Sequence, residues 1–157
     1  MEINLEIFVT DEMKNYGEYK VIELRGIYLC VFKCGEIFRW VDKVRGLPMK
    51  TPKWKFSPNI NNHQGYNSPI INCKDILRHR IICYTFKTLD IENTKSFIDH
   101  INGNTIDNNS NNLRIVNNQQ NMFNRTKSKG YFFNKNNNKR RALIGLNGRR
   151  IHLGYFY

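Results

Sequence analysis

The residues best suited to chemistry sit close together between Ile98 and Thr126, in the run I-D-H-I-N-G-N-T-I-D-N-N-S-N-N-L-R-I-V-N-N-Q-Q-N-M-F-N-R-T. His100 carries an imidazole with an ordinary pKa near about 6.5, so at physiological pH its neutral form can take a proton from water. Asp99 beside it offers a hard carboxylate oxygen and Asn121 an amide oxygen, and both suit Mg²⁺ or Mn²⁺ better than a thiolate would. Phosphodiester hydrolysis needs an activated water, stabilised charge at phosphorus and help for a poor alkoxide leaving group. This run offers a group for each need, with water and substrate phosphate filling the remaining positions around the ion.

The elements that must position these groups follow from the same residues. A strand ends at His100, a loop of Gly103 and asparagines follows, and a second strand spans Leu113 to Val116. A helix is expected from about Asn118 to Arg125, with Asn117 as its N-cap and Gln120 completing a capping box. Leu113, Ile115, Met122 and Phe123 would form the apolar seam between hairpin and helix. Neighbouring strand residues point to opposite faces, so Asp99 and His100 converge on one phosphate only if the strand ends or bulges there. Asparagine is abundant throughout the chain, and D-N-N-S-N-N also reads as plain loop.

Taken jointly, D-H-x-N-G, then D-N, N-L-R, an apolar pair and N-x-x-N in a short basic helix resemble the signature of the HNH homing endonucleases and their ββα-metal motif. The resemblance implies that His100 is the general base, that Asp99 and Asn121 are metal ligands, and that Asn112 holds the loop and the histidine by hydrogen bonds. With Asn121 as the third letter this is the H-N-N variant, which has fewer charged ligands and implies weak metal binding. The implied activity is one-metal hydrolysis of double-stranded DNA, the metal stabilising the departing 3′ oxygen. The upstream run Leu77-Arg78-His79-Arg80-Ile81-Ile82-Cys83-Tyr84-Thr85-Phe86 resembles the helix that precedes this motif, with His79 structural or DNA-contacting rather than catalytic.

The bulk of the chain agrees with a nucleic-acid partner. Its 157 residues carry a formal charge of +12 and the pI is about 9.7, which favours polyanions: nucleic acid first, an anionic membrane second. No acidic residue follows Asp107, so the last third carries most of the excess charge. No apolar run is long enough to span a bilayer, and residues 1 to 10 lack a secretory pattern; the expectation is a soluble, intracellular protein, not a membrane one. Cys30, Cys34, Cys73 and Cys83 lack paired CxxC spacing and read as reduced thiols rather than as a zinc site or disulfides.

Short apolar runs punctuated by Gly26 and Gly35 predict a small antiparallel sheet near the N-terminus. Residues 46 to 67, with Pro48, Pro52 and Pro58, predict an extended loop or set of turns; its Lys53 and Lys55, interleaved with Trp54 and Phe56, suit phosphate and base contacts, and equally a solvated loop pinned by one buried Trp. A short helix is expected over Lys74 to Thr88. At the other end, three strands follow a linker from Thr126 to Gly130, the last two joined at Asn147-Gly148. This C-terminal run resembles the DNA-binding domain of plant ethylene-response factors, which implies base and phosphate contacts from Arg140, Arg141, Arg149 and Arg150. The N-terminal part is similar to the small β module found ahead of HNH domains in homing nucleases.

The expected architecture is α+β: a small N-terminal antiparallel sheet in 1–73, a central ββα-metal motif in 74–126, and a C-terminal three-stranded basic segment in 127–157. Arg80, Arg114, Arg125, Lys127, Lys129 and Lys139 complete the predicted DNA contacts. No obligate protein partner is evident, and the asymmetric grips favour a monomer. The other function classes the charge allows are a DNA-binding regulator with an inactive motif and a basic RNA-binding protein.

Overall fold

The structure is a computed structural model and describes residues 4–62, 64–93, 95–123, 131–135, 138–146 and 149–156. It is α+β, and the chain divides into two compact units, Met1–Ile115 and Val116–Tyr157. Among the described residues no helix is long and apolar enough to cross a membrane.

The first unit is organised by a meander of four antiparallel strands, β1 (Tyr19–Leu24), β2 (Ile27–Phe32), β3 (Ile37–Val44) and β4 (Leu47–Phe56), in that spatial order. Arg25-Gly26 and Arg45-Gly46 join strands as two-residue turns with all four residues at positive φ, the geometry that matches strand twist in tight hairpins. Strand β4 corrects the expectation of a loop over 46 to 67. Pro48 and Pro52 disfavour a central strand, but β4 is the sheet edge, where one row of N–H groups has no ladder partner to lose.

Alternation gives the sheet two apolar faces. One carries Cys30 and Phe32 against Val9 and Met13, the latter from the short helix α1 (Asp11–Lys14), with Phe38 and Trp54 packed beside them. The other presents Leu29, Val31 and Ile37 to Ile81, Ile82 and Cys83 of helix α2 (Arg78–Phe86), together with Ile71, Ile76 and Leu113. Residues from before and after position 73 thus share one core. The helix is shorter than expected because Lys74–Asp75 forms a strand, β6, paired with β5 (Ile70–Ile71) across Asn72-Cys73, both at positive φ. The four cysteines are free: Cys30 and Cys83 lie in the core, where burial pushes their thiols up to about 12 and about 11, and Cys34 and Cys73 are exposed.

Strands β7 (Phe97–His100) and β8 (Leu113–Val116) form a two-stranded sheet. In the second unit, helix α3 (Asn118–Phe123) is capped reciprocally. Asn117 Oδ1 accepts from Gln120 N–H at 2.8 Å, and Gln120 Oε1 accepts from Asn117 N–H at 3.0 Å. Of the expected seam, Leu113 is buried and Ile115 exposed, while the side chains of Met122 and Phe123 lie outside what is described. The unit ends in β9 (Tyr131–Asn134), β10 (Lys139–Leu146) and β11 (Arg149–Phe156), antiparallel with β10 central. The linker at 126–130 and the turn at Asn147-Gly148 lie outside the described residues.

Candidate active site

His100 is where β7 stops being a strand. Ile101 N–H still donates to Asn112 O at 2.8 Å, but Gly103 N–H donates back to His100 O at 2.9 Å, turning the chain into the 101–112 loop. The asparagines of that loop build it. Asn102, Asn104, Asp107 and Asn109 each accept, through a side-chain oxygen, the backbone N–H two residues on. Such side-chain turns are what these residues favour outside helices and strands. Asn112 ties the loop across its base: its Oδ1 accepts from Asn102 N–H, and its Nδ2 donates to Asn102 Oδ1 and, at 2.9 Å, to Asp107 O.

The loop is fastened to the rest of the first unit. Thr105 donates to Gly65 O, and Ser110 N–H to Lys33 O. Gly35, at φ +109°, lies so close that a Cβ there would meet the Asn108 backbone at 3.0 Å. Behind it, Arg78 is fully buried at the start of α2 and donates to Gly35 O, Ser57 O, Pro58 O and Asn67 Oδ1, with Glu36 3.7 Å away. One guanidinium thereby joins the β2–β3 turn, the segment after β4 and the helix, its fork of donors matching several carbonyls at once.

The ring of His100 is 5% exposed. Its Nε2 lies 3.5 Å from Asn108 Oδ1, and Asn108 Nδ2 donates to Ile106 O, which fixes which end of that amide is oxygen. His79 of α2 meets His100 edge-on at 5.3 Å between centroids, and Tyr66 stands 5.4 Å from His79 and 6.3 Å from His100. Burial pulls the His100 pKa below its ordinary value, while Asn108, Asp99 and Asp107 act in the opposite sense. Burial, then His100 and Arg80, depress His79 to about 3. Both rings are therefore neutral at physiological pH.

Asp99 faces other partners. Its Oδ2 accepts from Arg114 Nε at 2.7 Å, so the carboxylate is mostly buried and ion-paired while the ring of the next residue packs among Tyr66, His79 and Asn108. Asn121 lies on α3, in the second unit. Among the described residues no three or more of His, Cys, Asp and Glu gather in one place. Asp99 offers a hard carboxylate oxygen of the kind that suits Mg²⁺ or Mn²⁺.

The predicted DNA contacts divide in the same way. Arg80 donates to the carbonyls of Ser96, Ile91 and Asn93, which commits its guanidinium to the chain itself, and Arg114 is committed to Asp99. Lys53 and Lys55 are exposed on β4, and Arg149 and Arg150 on β11. Arg140 sits over the Tyr131 ring and the half-buried Arg141 over Phe132, with Lys139 also partly covered. Arg125, Lys127 and Lys129 lie outside the described residues. Sequence reasoning did not single out Arg78, Tyr66 or Asn108 for the site. The Gly65-Tyr66 pair was visible as a pattern, but nothing in one sequence separates a buried arginine from an exposed one.

No protein-family model and no curated protein sequence matches the chain. One solved structure, described as DNA binding and cleavage by the HNH homing endonuclease I-HmuI, is similar at a TM-score of 0.48 and 21% identity. The match covers 68% of this chain and 56% of that one, so this chain matches little more than half of that protein's length.

Proposed function

We propose that the chain is an endonuclease that hydrolyses phosphodiester bonds of double-stranded DNA with a divalent cation, Mg²⁺ or Mn²⁺. The observation that carries the reading is a buried, neutral imidazole at the end of a strand, with one ring nitrogen turned to an amide oxygen. An amide oxygen only accepts, so the tautomer this contact selects has the proton on Nε2 of His100, leaving the Nδ1 lone pair to act as base.

In the reaction, Nδ1 takes a proton from a water whose oxygen bonds to phosphorus as the bond from phosphorus to the 3′ oxygen breaks. The departing oxygen is protonated by solvent, and the imidazolium returns its proton to water. The Asn112 ties keep the 101–112 loop closed, and that loop places Asn108 against the ring. Asp99 and Asn121 would hold the cation, which when bound offsets charge at phosphorus and on the leaving oxygen. The exposed cations Lys53, Lys55, Arg149 and Arg150 would grip the DNA backbone.

The ion pair of Asp99 with Arg114 favours a second reading, a DNA-binding protein that does not cut, because the carboxylate is already neutralised. Supercoiled plasmid incubated with Mg²⁺ or Mn²⁺ separates the two. The nuclease reading expects nicked or linear product that disappears in EDTA and in His100→Ala, with DNA binding retained in that variant. Binding without product in either metal overturns it.

A further inference from the structure

Strands β2, β3 and β4 place Leu29, Arg39 and Lys55 side by side across the ladder, so two cations stand directly opposite each other on one face of the sheet. Like charges in that relation are destabilising unless something anionic lies between them. Among the described residues neither cation has an acidic partner within salt-bridge distance. Both line a cavity of about 440 Å³, within the roughly 300–1,000 Å³ span of small-molecule sites.

The rest of that cavity is mostly apolar. Leu29 and Ile71, both core residues, line it together with Ile60 and Ile70, which are 68% and 62% exposed, whereas the ring of Phe56 packs on Phe38 at 5.3 Å on the other face of the sheet. Two large apolar side chains left in water around one concavity, with two unpaired cations beside them, call for a ligand that is apolar at one end and anionic at the other. Other lining residues are held in place. Ser57 and Pro58 carbonyls accept from Arg78, and Asn62 Oδ1 accepts from Gln64 and Tyr66 N–H groups. One carboxylate, Asp75, also lines the cavity and can accept from an exocyclic amino group.

We infer that this cavity takes one unstacked nucleotide of the DNA, its base against Ile60 and Ile70 and its phosphate at Arg39 and Lys55. The inference rests on the DNA-binding part of the proposed function and adds a preference for sites where a base is already unpaired, since such a base costs least to extrude.

The test compares three labelled DNAs of one length by anisotropy in EDTA, which prevents cleavage: a paired duplex, the same duplex with a two-nucleotide bubble, and a single strand. The bubble should bind about five-fold or more tighter than the paired duplex, the equivalent of about 1 kcal/mol. The double variant Ile60→Ser and Ile70→Ser changes exposed side chains and no charge; it should erase that preference and leave paired binding unaltered. Arg39→Ala with Lys55→Ala should weaken the bubble more than the duplex. Equal affinity of the wild type for bubble and duplex, or equal loss on both in the serine variant, overturns the cavity assignment and leaves the nuclease reading intact. Failure to bind paired duplex at all overturns the DNA reading itself.

Discussion

Arg114 Nε donates to Asp99 Oδ2 at 2.7 Å, joining β8 to β7 beside the candidate base. The arginine is 47% exposed, so the pair is worth about 0.2–1 kcal/mol after solvent screening. A cation that uses Asp99 must compete with it. Arg114→Ala should therefore lower the half-saturating Mg²⁺ or Mn²⁺ concentration for cleavage, by up to about five-fold, the equivalent of 1 kcal/mol. The check is a metal titration of plasmid cleavage at constant ionic strength. A rise in the metal requirement would mean that Arg114 orients the carboxylate and does not shield it.

Arg78 is the most consequential side chain for stability. It is fully buried, and four separate acceptors depend on it. Removing one partner of a buried charged network leaves the others desolvated and unsatisfied, at a cost of about 3–5 kcal/mol. Arg78→Met should reduce the free energy of unfolding in urea by that amount. Arg78→Lys should fail to restore it, because one ammonium cannot reproduce a fork that reaches the Gly35, Ser57 and Pro58 carbonyls together.

Where residue type alone decides the local chain, the elements were legible. Gly26 and Gly35 bracket β2 as expected, and the Asn117 and Gln120 spacing that signals a capping box is matched by both of its hydrogen bonds. Position within the sheet was not legible. Pro48 and Pro52 argue against a strand until it is known that β4 is an edge. The run D-N-N-S-N-N also reads as plain loop, and no residue type in it announces that the asparagines form successive side-chain turns that place Asn108 against His100. The Asp99–Arg114 pair and the Tyr66–His79–His100 ring cluster are long-range meetings, made by strand register and by α2 packing, and one sequence does not display either.

Two neutral, buried imidazoles make the protein sensitive to acid. His79 is depressed to about 3 and His100 is lowered as well, whereas in the unfolded chain each titrates near its ordinary value of 6.5. Below that value the unfolded state binds protons that the folded state refuses, so stability is full above about pH 6.5 and falls as the pH drops toward 3. The slope approaches about 1.4 kcal/mol per pH unit for His79 alone. Urea unfolding at pH 7, 5.5 and 4.5 should show the decline, and His79→Phe, which keeps an edge-on ring, should flatten it without removing the share due to His100. An unchanged slope in that variant would place the acid sensitivity elsewhere.

The C-terminal sheet makes an asymmetric prediction about DNA. Successive strand residues point to opposite faces, and the register pairs Leu146 with Arg149 and Gly145 with Arg150. Arg140 and Arg149 therefore share one face and Arg141 and Arg150 the other. Arg140 and Arg149 are both exposed, but Arg141 is half-buried over Phe132 with its Nε enclosed and unbonded. A duplex can meet only one face of a flat sheet, and the first face offers two accessible guanidiniums against one. Arg140→Ala with Arg149→Ala should weaken duplex binding and reduce the slope of log affinity against log salt by about 2, one for each phosphate no longer neutralised. Arg141→Ala with Arg150→Ala should change that slope by less. Anisotropy titrations across a KCl series measure both, and equal slopes for the two double variants would show that neither face of this sheet is the one that docks.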